Sequence, residues 1–260
     1  MFDLYSYPMP LISLAGLAVI LAVSEIGWRL GVRADHQAAG NITTLESGML
    51  GLLALMIAFT FSMALSRFDA RREAVLNEAN SIGTTALRAR LLPEPHRTET
   101  LKLLRNYVQL RVDIVRSGAS LAEAAAAIDQ SNMIQEALWQ QTIAIAAKDK
   151  AMIPTGLFVT SLNGMIDDQG KRLAALRARM PNFVLLTLFS IAAVAGGFAG
   201  FASGLDAKRT RLPIYVMAVL ISAVIYLILD LDRPSSGFIT NNQQPIIDAA
   251  STIDAFPELK

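Results

Sequence analysis

The sequence predicts an all-α membrane protein: four transmembrane helices, a cytoplasmic helical bundle, and a second span that continues into water as one long helix. Three observations carry this. Of the 260 residues 53% are hydrophobic and mean hydropathy is +0.42, yet the 17% that are charged crowd into the middle, a segregation typical of membrane chains. Four apolar stretches are long enough to cross a hydrocarbon core of about 30 Å. And the apolar run GMLGLLALMIAFTFSMALS (Gly48 to Ser66) passes into the charged run RFDARREAVLNEANSIGTTALRARLL (Arg67 to Leu92) with no Pro before Pro93 and, past Gly51, no Gly but Gly83. At about 1.5 Å per residue, a helix from Glu46 to Leu92 starts in lipid and ends in water tens of Å away.

The first span, Leu11 to Leu30, follows an N-terminus without Lys or Arg. It reads as a retained span rather than a signal peptide, which needs a basic leading region. Trp28 and Arg29 look like interfacial anchors, and Glu25 stands four residues before Arg29, placed to pair with it or to serve a proton or ion relay. In the polar loop Gly31 to Leu45, Thr43 or Thr44 caps the long helix ahead of Glu46.

Between Pro93 and Met180 the pattern is helical. Thr98 reads as an N-cap for a helix carrying Leu101, Leu104, Val108, Val112 and Val115. Ser120 caps an Ala-rich run to Lys150. Beyond Pro154, a third helix carries Phe158, Leu162, Met165, Leu173, Leu176 and Met180. Asn182 to Leu205 is the third span, lined with Ala and Gly that favour close packing in lipid, and Leu212 to Leu229 is the fourth. The expected organisation is therefore 1–66 (spans one and two), 67–181 (cytoplasmic domain), 182–232 (spans three and four) and 233–260 (a polar tail).

Four spans leave both termini and the bundle on one side. That side holds Arg67, Arg71, Arg72, Lys171, Arg172, Arg177, Arg179 and Arg233 near the span ends; the other holds Arg29, Arg33, Lys208, Arg209 and Arg211. The excess puts the bundle, N-terminus and C-terminus in the cytoplasm of a multi-pass protein of the cell membrane.

Several function classes are excluded. A net charge of +1 gives no field for nucleic acid, and the absence of Cys removes thiolate chemistry and Cys-based metal sites. His36 and His96 read as solvated loop residues. No HExxH, GxSxG, P-loop or strand-borne GxGxxG is present, so the chain reads as no enzyme and implies no cofactor.

Two stripes divide the long helix. Phe61, Leu65, Phe68, Arg72, Val75, Ala79, Ile82 and Ala86 form a mostly apolar packing seam. Beside it run Phe59, Ser62, Ser66, Ala70, Glu73, Asn77, Asn80, Thr84 and Arg88, turning from aromatic to hydroxyl to charged and amide groups. A solvated surface and a water-filled pore both suit that second stripe, and rotation by about 100°, one residue, exchanges the two. A ring of such helices would make an apolar constriction at Phe59 that opens into a polar vestibule, a geometry that gates by dewetting. DLDRP at 230–234 is a helix stop with a local ion pair, or, through Asp230 and Asp232, a pair of cation ligands.

The run LLALMIAFTFSMALSRFDARREAVLNEANSIGTTALRARLLPEPHR, with DLDRPSSGFI near the end, resembles the bacterial bestrophin-like family of four-span membrane proteins related to the bestrophin ion channels. The resemblance covers nearly the whole chain; FTFSMALSRFDARR and LDRPxxG are its most specific parts. It implies a homo-oligomeric, pentameric channel of the bacterial inner membrane that passes inorganic ions. On that likeness Phe59, with Leu55 and Met63, would form the neck; the polar stripe adds Ser62 and Ser66 as pore candidates and Glu73, Asn77, Asn80, Thr84 and Arg88 as vestibule candidates. Bestrophins carry Arg-Trp after the second span where this chain has Arg67-Phe68, and their acidic calcium cluster has no counterpart here beyond DLDRP. The competing expectation is a membrane-anchored interaction or sensor protein whose spans only hold it in the bilayer.

Overall fold

The computed structural model describes residues 4–34, 39–117, 121–148, 153–206, 210–234 and 237–256. Among these, every regular element is helical: a 3-10 turn Leu4–Ser6, then α1 (Met9–Arg33), α2 (Ala39–Ala89), α3 (His96–Ser117), α4 (Leu121–Ala146), α5 (Ile153–Arg177), α6 (Asn182–Leu205), α7 (Leu212–Asp232) and α8 (Gln244–Asp254). Four helical stretches are long and apolar enough to span a membrane: α1, the first part of α2, the stretch that ends in α6, and α7. The chain divides into two compact units, Met1–Phe68 with Ala178–Thr240, and Asp69–Arg177 with Asn241–Lys260; α2 contributes to both.

The long helix is unbroken, but it begins at Ala39, ahead of the expected start, and ends at Ala89. Thr43 and Thr44 are therefore interior, and the Ser47 hydroxyl donates to Thr43 O at 2.9 Å. At α3 the capping group is not Thr98 but the Glu94 carboxylate, which accepts the Thr98 N–H at 3.3 Å and its hydroxyl at 2.9 Å. His96, expected in a loop, opens α3 with its Nδ1 2.8 Å from Gln141 Oε1. Ser120, the expected cap of α4, lies outside the described residues.

In the first unit, α6 packs along α1, with α7 against both. Contact is backbone to backbone. A Cβ on Gly27 or Gly31 would meet the Gly197 or Phe201 carbonyl oxygen, and one on Gly200 or Gly204 the Ser24 or Trp28 carbonyl oxygen, each well inside 3.0 Å. Lipid supplies no hydrophobic drive between helices, so such close van der Waals approach is what holds spans together. The core is completed by Leu53, Ala64, Leu185, Leu188, Ala192, Ile225 and Ile228.

The second unit has a core built from five helices. Val75, Ile82 and Ala86 of α2 pack with Leu104, Val108 and Val112 of α3, Leu138 and Ile145 of α4, and Phe158, Leu162 and Met165 of α5. Ile246, Ala250 and Ile253 of α8 join them. The segment expected to be a polar tail thus contains an amphipathic helix, whose spacing of four and three puts those residues on one face.

Candidate functional site

The face of α2 that its own unit covers differs from the expected seam. Buried in the membrane half are Leu53, Thr60 and Ala64, whereas Leu65 is 40% exposed and Arg72 is also exposed. Choosing positions by apolarity favours Leu65, but close packing favours the neighbouring Ala64, and Thr60 can hide because its hydroxyl donates to Met56 O at 2.8 Å. In the soluble half Val75, Ala79, Ile82 and Ala86 are buried as expected, together with Arg71, Glu78 and Thr85.

The neighbouring stripe is left uncovered. Leu55, Phe59 and Met63 are 52%, 61% and 39% exposed, and Ser62 and Ser66 share their surface. In the soluble half Glu73, Asn77, Asn80 and Thr84 are exposed too. Arg88 departs from the pattern: it is half-buried, and its Nη1 donates to Leu157 O of α5 at 2.9 Å.

Behind each half lies a buried carboxylate. Glu78 is fully buried, one residue from Asn77 and two from Asn80. Arg111 of α3 approaches it with Nε 2.9 Å from Oε1 and Nη2 3.3 Å from Oε2, and Arg172 of α5 brings Nη1 to 2.5 Å from Oε2. The Tyr107 hydroxyl lies 3.2 Å from Oε1; burial, then the Glu78 charge, push its pKa well above the ordinary tyrosine range, so it stays a neutral donor. The second Arg172 nitrogen donates to Gln243 Oε1 at 2.9 Å, carrying the network to the segment that leads into α8. Glu78 was not singled out from the sequence. The signal was there: Val75, Glu78 and Ile82 place one carboxylate inside an apolar stripe at spacing three and four.

In the first unit the carboxylate is Asp232 at the end of α7, with no exposed surface. It accepts from Arg67 Nη1 at 3.3 Å, from the Met180 N–H at 2.9 Å and from the Tyr5 hydroxyl. Burial and the Asp232 carboxylate hold the Tyr5 pKa far above its usual value, so Tyr5 donates at any physiological pH. Arg233 donates to Tyr7 O at 2.7 Å. Asp230 closes a strap: its two oxygens accept the N–H groups of Phe238 and Ile239, each at 2.9 Å. Gly237 permits that closure, since a Cβ there would run into Asp230 Oδ1. Asp230→Ala is expected to speed hydrogen exchange at Phe238 and Ile239 tenfold or more, because hydrogen bonds to a charged acceptor are each worth about 1.5–3 kcal/mol; amide exchange read by mass spectrometry checks it. Among the described residues no group of three or more His, Cys, Asp or Glu is arranged to hold a metal ion.

Comparison with known proteins places the whole architecture. The model of the bestrophin-like domain matches residues 15–246. The chain belongs to the bestrophin-like family. Its fold is that of the bacterial bestrophin homologues. A crystal structure of the Klebsiella pneumoniae homologue with a tryptophan-to-alanine substitution is 18% identical over 93% of this chain and 95% of that one, with a TM-score of 0.64. The structure of that homologue phased on zinc is 18% identical over 93% and 95%, with a TM-score of 0.62. At this identity the likeness shows the fold alone. A comparison with curated proteins finds no match. This bestrophin-like chain is a membrane protein, and its family places its apolar helices in a bilayer.

Proposed function

We propose that this bestrophin-like protein assembles as a homo-oligomer, pentameric by family resemblance, and conducts inorganic ions through a path lined by α2. The observation that carries the reading is the uncovered stripe on one unbroken helix. Leu55, Phe59 and Met63 would form an apolar neck, with Ser62 and Ser66 supplying hydroxyls at membrane depth, where polar side chains tend to face protein or water. Glu73, Asn77, Asn80 and Thr84 would line the vestibule beyond, while Arg88, drawn toward α5, would border it. One chain with four spans encloses no channel, so copies must supply the rest of the wall. The positive-inside count favours an inner-membrane protein with both termini in the cytoplasm.

Purified protein in liposomes is expected to pass ions, and Phe59→Ala to raise conductance by widening and wetting the neck. Absence of flux in every salt, pH and calcium condition overturns the reading. A monomer or dimer by native mass spectrometry would favour the membrane-anchored interaction protein, for which exposed Leu76 and Leu87 of α2 are the supporting observation. Asp230 and Asp232 act in this proposal as clamps on peptide groups. A cation there would have to displace Arg67 or the strap amides, so calcium is expected to leave the melting temperature unchanged.

A further inference from the structure

The ends of α1 and α7 that meet beside Glu25 gather cationic groups that no role above uses. Glu25 Oε1 lies 2.8 Å from Arg29 Nε and 3.4 Å from Arg211 Nη2, and Glu25 Oε2 accepts the Tyr215 hydroxyl at 2.9 Å. The Arg29 contact is an ordinary pair four residues apart on one helix. Arg211, at the N-cap of α7, and Tyr215 within it lie 186 and 190 positions along the chain from Glu25, and they make the carboxylate an organiser of two helices. The Arg211 guanidinium stacks on the Trp28 ring at 3.7 Å from its centroid, which fixes its plane. One turn beyond Arg29, Arg33 is exposed and has no carboxylate within ion-pair distance among the described residues. Asp206, at the C-cap of α6, pairs with none of the three.

Three guanidiniums thus stand near a carboxylate that pairs with only two of them, Arg29 and Arg211, and the surplus charge is held at the edge of the apolar spans. Side-chain exposure of 66% at Arg29 and 45% at Arg211 leaves their outer nitrogens open. The Trp28 ring N–H is buried and meets no acceptor among the described residues. A planar guanidinium matches two oxygens of a phosphodiester, and at this depth the phosphates that a bilayer presents are those of its headgroups.

We propose that Arg29, Arg33 and Arg211, bordered by Trp28 and organised by Glu25, bind the headgroup phosphate of an anionic phospholipid at the junction of α1 and α7. Glu25 repels the same phosphate but leaves a net cationic surface, and it holds Arg211 and Arg29 together so that one phosphate can reach both. The proposal is independent of ion conduction.

The test is lipid retention by the purified protein in detergent, read by native mass spectrometry after exchange into phosphatidylglycerol or phosphatidylcholine. Wild-type protein should keep phosphatidylglycerol and release phosphatidylcholine. Each arginine removed should weaken retention roughly fivefold, the effect of one basic side chain at a membrane surface. Arg33→Gln loses no hydrogen bond or ion pair among the described residues, so its effect is separable from misfolding; Arg29→Gln with Arg211→Gln should cost more, and Lys at these positions should restore part of it. Unchanged phosphatidylglycerol retention in Arg33→Gln and in the double variant, with wild-type elution and circular dichroism, overturns the proposal. So does inorganic phosphate that displaces the lipid at equal concentration, which would assign the site to a free anion.

Discussion

Gly200→Leu is expected to abolish accumulation of folded protein. The Gly200 Cα sits against the backbone of α1, and a Cβ there would overlap Ser24 O and crowd the Trp28 nitrogen. The obstacle is main chain, so no rotamer change relieves it, and α1 and α6 must separate along the whole Gly27–Gly31 and Gly196–Gly204 seam. Overpacking a well-filled contact costs about 1–3 kcal/mol when side chains can yield. Here they cannot, and separation also forfeits the packing that replaces hydrophobic drive in lipid. Even Gly200→Ala should lower the melting temperature and the monodisperse fraction on size-exclusion chromatography. Gly170→Ala, in an exposed position of α5 with nothing within 4 Å, should stabilise the chain by about 0.5–1 kcal/mol. If Gly200→Leu elutes and melts like wild type, the α1–α6 contact is not as close as described.

Glu78→Gln is the second large effect. It keeps the shape of the side chain but leaves Arg111 and Arg172 buried, at 4% and 8% side-chain exposure, without their counter-charge. Breaking a buried ion pair from one side typically costs about 3–5 kcal/mol, since the desolvated partner stays behind. For a chain of this size that is a fall on the order of 10 °C in melting temperature. Tyr107→Phe, which removes one neutral donor, should cost about 1–3 kcal/mol at most. Replacing the ion group together, with Leu at 78 and Met at 111 and 172, should recover much of the loss, because no charge then remains unpaired. Thermal unfolding followed by circular dichroism separates these outcomes. A Glu78→Gln protein that melts within a degree or two of wild type would show that water reaches the network. Because Glu78 is flanked by Asn77 and exposed Asn80, loosening it should also alter conductance in the proposed channel.

The helices themselves were legible because each is written in local chemistry. The lipid-to-water passage of α2 follows from an apolar run joined to a charged one with nothing to break the helix between them, and α6 announces its close packing through its Ala and Gly content. Helix starts were less legible at α2 and α3. Thr43, Thr44 and Thr98 are good caps in isolation, but Ala39 can begin the first helix and the Glu94 carboxylate reaches the amide that Thr98 was expected to serve. The amphipathic spacing Ile246, Ala250, Ile253 was readable in the tail, though the surrounding polar residues and Pro245 disguised it.

The candidate site divides the same way. Exposure of Phe59, Ser62, Asn77 and Asn80 agrees with the period of the helix. Arg88 could not be placed by period, since a long side chain reaches whatever carbonyl the fold offers, here Leu157 O. Nor could a seam position be chosen between Leu65 and Ala64 until the distance to the facing helix was known. Arg71 and Arg172, both counted in the charge bias that orients the chain, lie buried in the second unit.

By itself the sequence determined the all-helical class, the four spans, the uninterrupted second helix and the family, because hydropathy, helix-breaking residues and short motifs act over neighbouring positions. The tertiary structure alone decided which carboxylates are buried and what meets them. Glu78 finds Arg111 and Arg172 at separations of 33 and 94 residues, and Asp232 finds Arg67 at 165. Partners so far apart are chosen by packing of whole helices, and no local pattern encodes that choice.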